Sequence, residues 1–317
     1  YKSICRGWHC IFWRYAKKGE CGCRRRLLRR KKMGKSKTYS YDYEDYENGK
    51  SASTLIEDIL ADPEFGELEE LIVGGWGGEY DEDCQPIIDG IAGAPDKFRH
   101  ITKLFIGDMD FEVCEVSWIM QGNYSGLWKA MPQLKELTIK GSTDLTLGTI
   151  EHDNLESLTI ICGGLGKDVI EEITKAKLPK LKKLLLYIGV EEYGFDGDEG
   201  TVRELLAKSD FPGLTYLGIT DSEIQDELTA VVLESKYMHQ INTLDLSNGT
   251  LTDKGGQLLL ERLPEFPNIE KLDLHHHYLS DEMMGKLEQL AIAVDLSEQE
   301  EADEWDGKLW YNAMLTE

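Results

Sequence analysis

The chain has 317 residues, 41% of them hydrophobic, and a net charge of −24. That apolar share is enough for a continuous core, yet no apolar run reaches the roughly 18 residues that a membrane-spanning helix needs. Acidity on this scale argues against nucleic acid or anionic lipid as a partner of the body of the chain, and favours basic partners or cations.

The charge is uneven. Residues 1–32 hold twelve Lys or Arg against one acid, Glu20, a net of +11, while the remaining 285 hold 23 against 58, a net of −35. Cys5, Cys10, Cys21 and Cys23 with His9 suggest zinc, but their gaps do not match the paired knuckles of zinc ribbons and fingers. Trp8, Trp13 and Tyr15 among basic residues suggest a nucleic-acid arm. The favoured reading is a segment outside the fold, with Met33 as the natural start. The apolar run Ile11-Phe12-Trp13 is too short for the core of a signal peptide. Gly34-Lys35-Ser36 mimics the end of a phosphate-binding loop, but Arg29 stands where its first Gly belongs. A myristoylation pattern at Gly34 and Thr38 is likewise set aside. Only Cys84, Cys114 and Cys162 lie in the body; this is no disulfide framework and fits a reducing compartment.

Residues 33–54 are rich in Tyr and acid, with no apolar period, and read as a linker or extended lead-in. Ser53 or Thr54 then caps a helix, Leu55 to Leu60, expected to cover the open face of the first repeat. Beyond this helix one template recurs eight times, with apolar residues at its first, fourth and sixth positions. The starts are Leu68, Ile101, Leu134, Leu155, Leu181, Leu214, Ile241 and Ile269, spaced by 33, 33, 21, 26, 33, 27 and 28 residues. Pro132, Pro179, Pro212 and Pro267 each stand two residues before a start, and a degenerate ninth copy falls at Ile292 to Leu296. Between the strands the apolar spacing turns helical, as at Val169, Ile170 and Ile173, or at Leu228, Val231 and Val232. The 21-residue step from Leu134 is too short for a full helix.

The most regular copy, Ile269 to Leu279, has the form L-x-x-L-x-L-x-x-N-x-L, with His277 in place of Asn. The fold expected is therefore α/β: a leucine-rich-repeat solenoid, or horseshoe, over residues 55–296, with a parallel concave sheet and outer helices. The tail, 297–317, starts acidic and then offers Trp305, Leu309, Trp310 and Tyr311, which are expected to fold back and cap the last repeat.

Strand alternation assigns a concave face that includes Phe105, Ile161, Leu185, Tyr187, Tyr216, Asp245, Asp273 and His275. Its middle is apolar and aromatic, as contact surfaces are. Loops leaving the strand ends form an acidic and aromatic rim: Trp76, Glu79, Asp81, Asp108, Asp110, Glu112, Glu115, Trp118, Asp221 and Glu223. Asp196, Asp198 and Glu199 lack the full calcium-loop pattern. In His275-His276-His277 only the outer two share a side, with no further ligand at metal spacing. His277 is instead expected to be buried against loop carbonyls. No cofactor or metal is implied.

Gly75-Trp76-Gly77, Leu104-Phe105-Ile106-Gly107-Asp108, Glu115-Val116-Ser117-Trp118-Ile119-Met120-Gln121 and Leu272-Asp273-Leu274-His275-His276-His277-Tyr278 resemble a family of bacterial cytoplasmic leucine-rich-repeat proteins. The resemblance spans roughly residues 55–317, and more distantly the repeats look like those of ribonuclease inhibitors. It implies a fold and a cytoplasmic location, and no particular activity. The function expected is that of a monomeric protein-interaction module whose partner presents a basic edge around an apolar anchor. The alternative is an enzyme with a site near Trp76, Asp81, Asp108, Glu112, Glu115 and Trp118, which requires those groups to converge.

Overall fold

Like positions of successive strands lie side by side. Leu71, Leu104, Leu137, Leu158, Leu184, Leu217, Leu244 and Leu272 pair in register across eight parallel strands. All eight are at most 2% exposed. Burying each such side chain contributes about 1.5–3 kcal/mol, and slipping one strand by one residue would turn its leucines to the open face.

The computed structural model describes residues 34–315 except Glu79, within the unit Gly34–Glu317. The basic segment 1–32, with the zinc and nucleic-acid readings of its Cys5, Cys10, Cys21, Cys23 and Trp8, lies outside the described residues. The order is β1 Ser36–Tyr39, α1 Tyr43–Glu47, α2 Ala52–Ala61, β2 Glu70–Val73, α3 Gln85–Gly93, β3 Lys103–Ile106, α4 Leu127–Ala130, β4 Glu136–Lys140 and β5 Ser157–Ile161. There follow α5 Lys167–Thr174, β6 Lys183–Gly189, α6 Glu199–Lys208, β7 Tyr216–Ser222, α7 Gln225–Leu233, β8 Thr243–Asp245, α8 Asp253–Arg262, β9 Lys271–Asp273, α9 Asp281–Leu287 and β10 Ala293–Asp295. A hairpin, β11 Asp303–Trp305 and β12 Lys308–Trp310, ends the regular structure.

Strands β1 to β10 form one parallel sheet whose spatial order is the chain order. Helices fill most connections between strands and pack beside one another, and their apolar residues, such as Ile87, Ile88, Ile91, Val202, Leu205 and Leu206, are buried in the core. Between β4 and β5 no helix forms among the described residues. That step crosses through isolated bridges at Met120–Thr143 and Asn123–Thr146, as its short spacing requires.

The stretch read as a linker holds regular structure. β1 adds an edge strand to β2, and Asp42 caps α1 in a reciprocal box with Asp45. The pattern escaped notice because this edge strand is built from polar contacts: Tyr39 donates its hydroxyl to Asp62 at 2.7 Å, and Lys37 pairs with the same carboxylate. α2 starts earlier than expected, with Ser51 as its cap. The tail also departs from expectation. Leu309 and Trp310 are exposed, the Trp305 side chain lies outside the described set, and only Tyr311 packs edge-on against Tyr278, at 5.0 Å. His277 is buried as expected: its Nδ1 accepts from the Leu279 amide and its Nε2 donates to the Leu296 carbonyl. Burial lowers its pKa.

Gly189, at the end of β6, shows how tightly these strand ends are held. Its φ is +75°, and a Cβ there would stand 1.8 Å from the Gly163 carbonyl oxygen. Gly189→Ala should therefore destabilise the fold by about 2–4 kcal/mol, through the left-handed backbone and the clash with main chain together. Urea unfolding measures this. A loss below about 0.5 kcal/mol would mean that β5 and β6 do not approach this closely.

Candidate functional site

Parallel pairing brings the loops that leave the C-terminal ends of all strands to one edge of the sheet. After β2 the chain turns through Gly77 and Gly78, both with φ near +80°. Tyr80 donates its hydroxyl to the Val113 carbonyl at 3.0 Å, tying this loop to the one after β3. Asp81, Asp108, Asp110 and Glu112 are exposed here, Glu115 half-buried, and Phe111 and Trp118 are 73% and 57% exposed. Trp76 does not join them. It is fully buried, its indole nitrogen donating to the Glu82 carbonyl at 2.9 Å, so it braces the loop from inside. Its apolar ring and single donor are both satisfied there. Glu79, also expected on this rim, lies outside the described residues.

Beside this rim lies a cleft of about 800 Å³ between α1 and the loops after β2 and β3. Tyr41, Tyr43, Tyr46 and Tyr80 give it aromatic walls, and Asp42, Asp45, Asp81 and Glu112 give it negative charge; no Lys or Arg among the described residues lines it. Sequence reasoning missed the α1 half because it took these residues for a linker. The sign available was the Asp42-x-x-Asp45 box, which starts a helix. Aromatic faces beside carboxylates suit an ammonium or guanidinium group.

The open face of the sheet is less available than alternation suggested. Phe105, Ile161, Tyr187, Tyr216 and His275 are half-buried, but Leu185, Asp245 and Asp273 are buried. Leu185 leans over Gly218, where a Cβ would come within 2.4 Å of it. The Tyr216 hydroxyl donates to Asp245, whose other oxygen accepts from the Ser247 amide and hydroxyl. Lys183 sits over the Tyr216 ring at 4.7 Å. Asp273 is closed off by Lys271 at 2.6 Å and His275 at 2.7 Å; burial opposes its charge, but the hydrogen bonds from these two side chains hold its carboxyl below the usual range. Burial also pushes the Tyr187 phenol up to about 12. Leu185, Asp245 and Asp273 are therefore corrected from partner contacts to internal ones: Leu185 is buried against the next strand, and neighbouring side chains take up the oxygens of the two carboxylates.

Asp221 is likewise not a surface rim residue. It is fully buried at the end of β7, with φ 57°, and its Oδ1 accepts the Leu315 amide at 2.9 Å. Burial pushes its carboxyl up to about 8, against the opposing pull of the Leu315 and Met314 amides. Glu223, two residues on, is exposed and accepts the Glu191 amide at 2.6 Å.

For the enzymatic alternative the groups would have to meet. Trp76 faces inward, Asp81, Asp108 and Glu112 stand on exposed loops, and no three His, Cys, Asp or Glu side chains come together at metal-binding spacing among the described residues.

No family model matches the chain, and no curated protein matches it. Among solved structures it is similar to a Bacteroides fragilis protein determined by crystallography as a structural genomics target. The two are 40% identical with a TM-score of 0.81, over 89% of this chain and 77% of that one.

The burial of Asp221 has a direction that can be measured. Its folded pKa of about 8 lies above the ordinary 3.8, so the stability it contributes is complete below about pH 4 and is lost as pH rises through 8. Asp221→Asn cannot ionise, so its stability relative to the parent should rise steadily between pH 4 and 8 in urea unfolding. A difference that stays flat over that range would show that Asp221 is solvated.

Proposed function

The chain belongs to the same family as that Bacteroides fragilis protein, and from this premise we propose that it is a leucine-rich-repeat solenoid acting as a protein-interaction module in the cytoplasm. Eight in-register copies of the L-x-x-L-x-L template in a ten-stranded parallel sheet support the solenoid reading. Two buried free thiols, Cys84 and Cys162, fit a reducing compartment. Among the described residues no helix is long and apolar enough to cross a membrane.

One observation carries the proposal. Tyr43, Tyr80 and Val113 are large and exposed and line the cleft beside α1 with Asp81 and Glu112, while Phe111, Trp118, Asp108 and Asp110 stand exposed in the chain that follows β3. Exposed rings amid one sign of charge match a partner with apolar anchors inside a basic edge. The docking centre is thus the rim after β2 and β3, with the half-buried Phe105 beside it, rather than the middle of the sheet.

Two sets of variants test this against a partner recovered by affinity capture and then purified. Phe111→Ala or Trp118→Ala should weaken binding by about 1–3 kcal/mol with little change in melting temperature. Neutralising Asp108, Asp110 and Glu112 should slow association and flatten its salt dependence. Tyr216→Ala should instead lower the melting temperature, because its ring bears Lys183 and its hydroxyl satisfies Asp245. Full affinity in the rim variants would sink the proposal.

A further inference from the structure

The last described residues, Asn312 to Leu315, run back across the strand ends against the chain order. The Tyr278 hydroxyl, after β9, donates to the Asn312 carbonyl and accepts the Asn312 amide, both at 2.9 Å. His276 Nε2 donates to the same carbonyl at 3.3 Å. Next, the Asn248 carbonyl, after β8, accepts the Met314 amide at 2.8 Å, and Asp221, at the end of β7, accepts the Leu315 amide at 2.9 Å. The Leu315 carbonyl then lies over Gly163, after β5, at 3.3 Å from where a Cβ would stand.

These contacts read backbone, not side chains. Of the four residues only Ala313 is buried, at 4% exposed; Asn312 and Met314 face outward. Any extended segment with a small residue at the position of Ala313 offers the same amides and carbonyl. The tail also leaves the groove incompletely used. Asp221 Oδ2 and Asn248 Oδ1 are buried polar atoms with no hydrogen-bond partner among the described residues. Buried polar atoms left without a partner are costly.

We propose that the groove across the ends of β5, β7, β8 and β9 is a binding site for an extended peptide, which the chain's own C-terminal segment occupies in cis. The ligand is a stretch of a partner protein with a small residue at the position of Ala313. It carries a hydroxyl, which can both donate and accept, within reach of the unpartnered oxygens of Asp221 and Asn248. Its hydrogen bonds come from residues at the ends of β7, β8 and β9, none of which belongs to the rim after β2 and β3, so its test is separate from that of the rim proposal.

The test uses the full chain and a fluorescent peptide of residues 308–317 as the probe. Ala313→Asp places a charge in the buried position and should expel the tail. The Met314 and Leu315 amides, protected in the parent, then exchange at free rates, and the variant binds the peptide at least tenfold more tightly than the parent does. Adding Tyr278→Phe to that variant removes both hydroxyl bonds to Asn312 and should weaken the peptide again. Met314→Pro, which deletes the amide given to Asn248 without adding charge, replaces Ala313→Asp if the latter lowers the unfolding midpoint. A tail expelled from a folded variant that still binds no peptide at millimolar concentration overturns the binding site. Peptide binding equal in parent and variant, or unprotected amides in the parent, overturns the occupancy in cis.

Discussion

In-register parallel pairing of equivalent positions is the constraint on which the rest of this structure depends. A column of leucines and a second column of Val73, Ile106, Ile139, Ile160, Leu186, Ile219, Leu246 and Leu274 run through the sheet, all buried. Each strand can enter at only one register without exposing both columns. With the register fixed, every strand ends at the same edge, and every loop leaving an end is delivered there. The acidic rim, the cleft beside α1 and the groove over β7 to β9 are consequences of that arrangement, built from loops whose own sequences share no pattern.

The same logic explains what could be read from the sequence. Strands β2 to β9 were legible because three of every six residues must be apolar, and β10 because Ile292, Val294 and Leu296 keep a trace of the pattern. β1 was not, since an edge strand held by Tyr39, Lys37 and Asp62 needs no apolar period. Alternation correctly assigned Asp245 and Asp273 to the open face, but it is blind to a tyrosine hydroxyl or a lysine folding over them. Leu185 was misjudged for a related reason. The space it fills exists because Gly218 on the next strand has no side chain. Trp76 and Trp118 sit in similar loops, and composition alone could not say that one turns inward and the other outward.

The acidic surface divides into two populations. On the sheet and its flanks, carboxylates face lysines of neighbouring strands, as in Glu136 with Lys103 at 2.8 Å and Glu156 with Lys182 at 2.5 Å. Exposed pairs of this sort contribute little to stability, roughly 0–1 kcal/mol each, but they cancel charge locally. On the rim after β2 and β3, no ion pair joins Asp81, Asp108, Asp110 or Glu112 to a Lys or Arg among the described residues. Carboxylates of one sign beside exposed rings can steer an approaching basic surface.

The strand ends of β7, β8 and β9 meet a different demand. Asp221, Asn248 and His276 occupy equivalent turns with φ of 57°, 65° and 54°. Left-handed backbone at such positions is tolerated by Asp, Asn and His more readily than by other side chains, and by Gly most readily of all. Glycine would relieve the turn, but it would remove the Asp221 carboxylate and the His276 ring that hold Leu315 and Asn312. The turn also aims the Asn248 carbonyl at the Met314 amide. One backbone requirement and one docking surface are thus met by the same three residues. This is why polar groups stand buried at an edge where packing alone would have selected glycine.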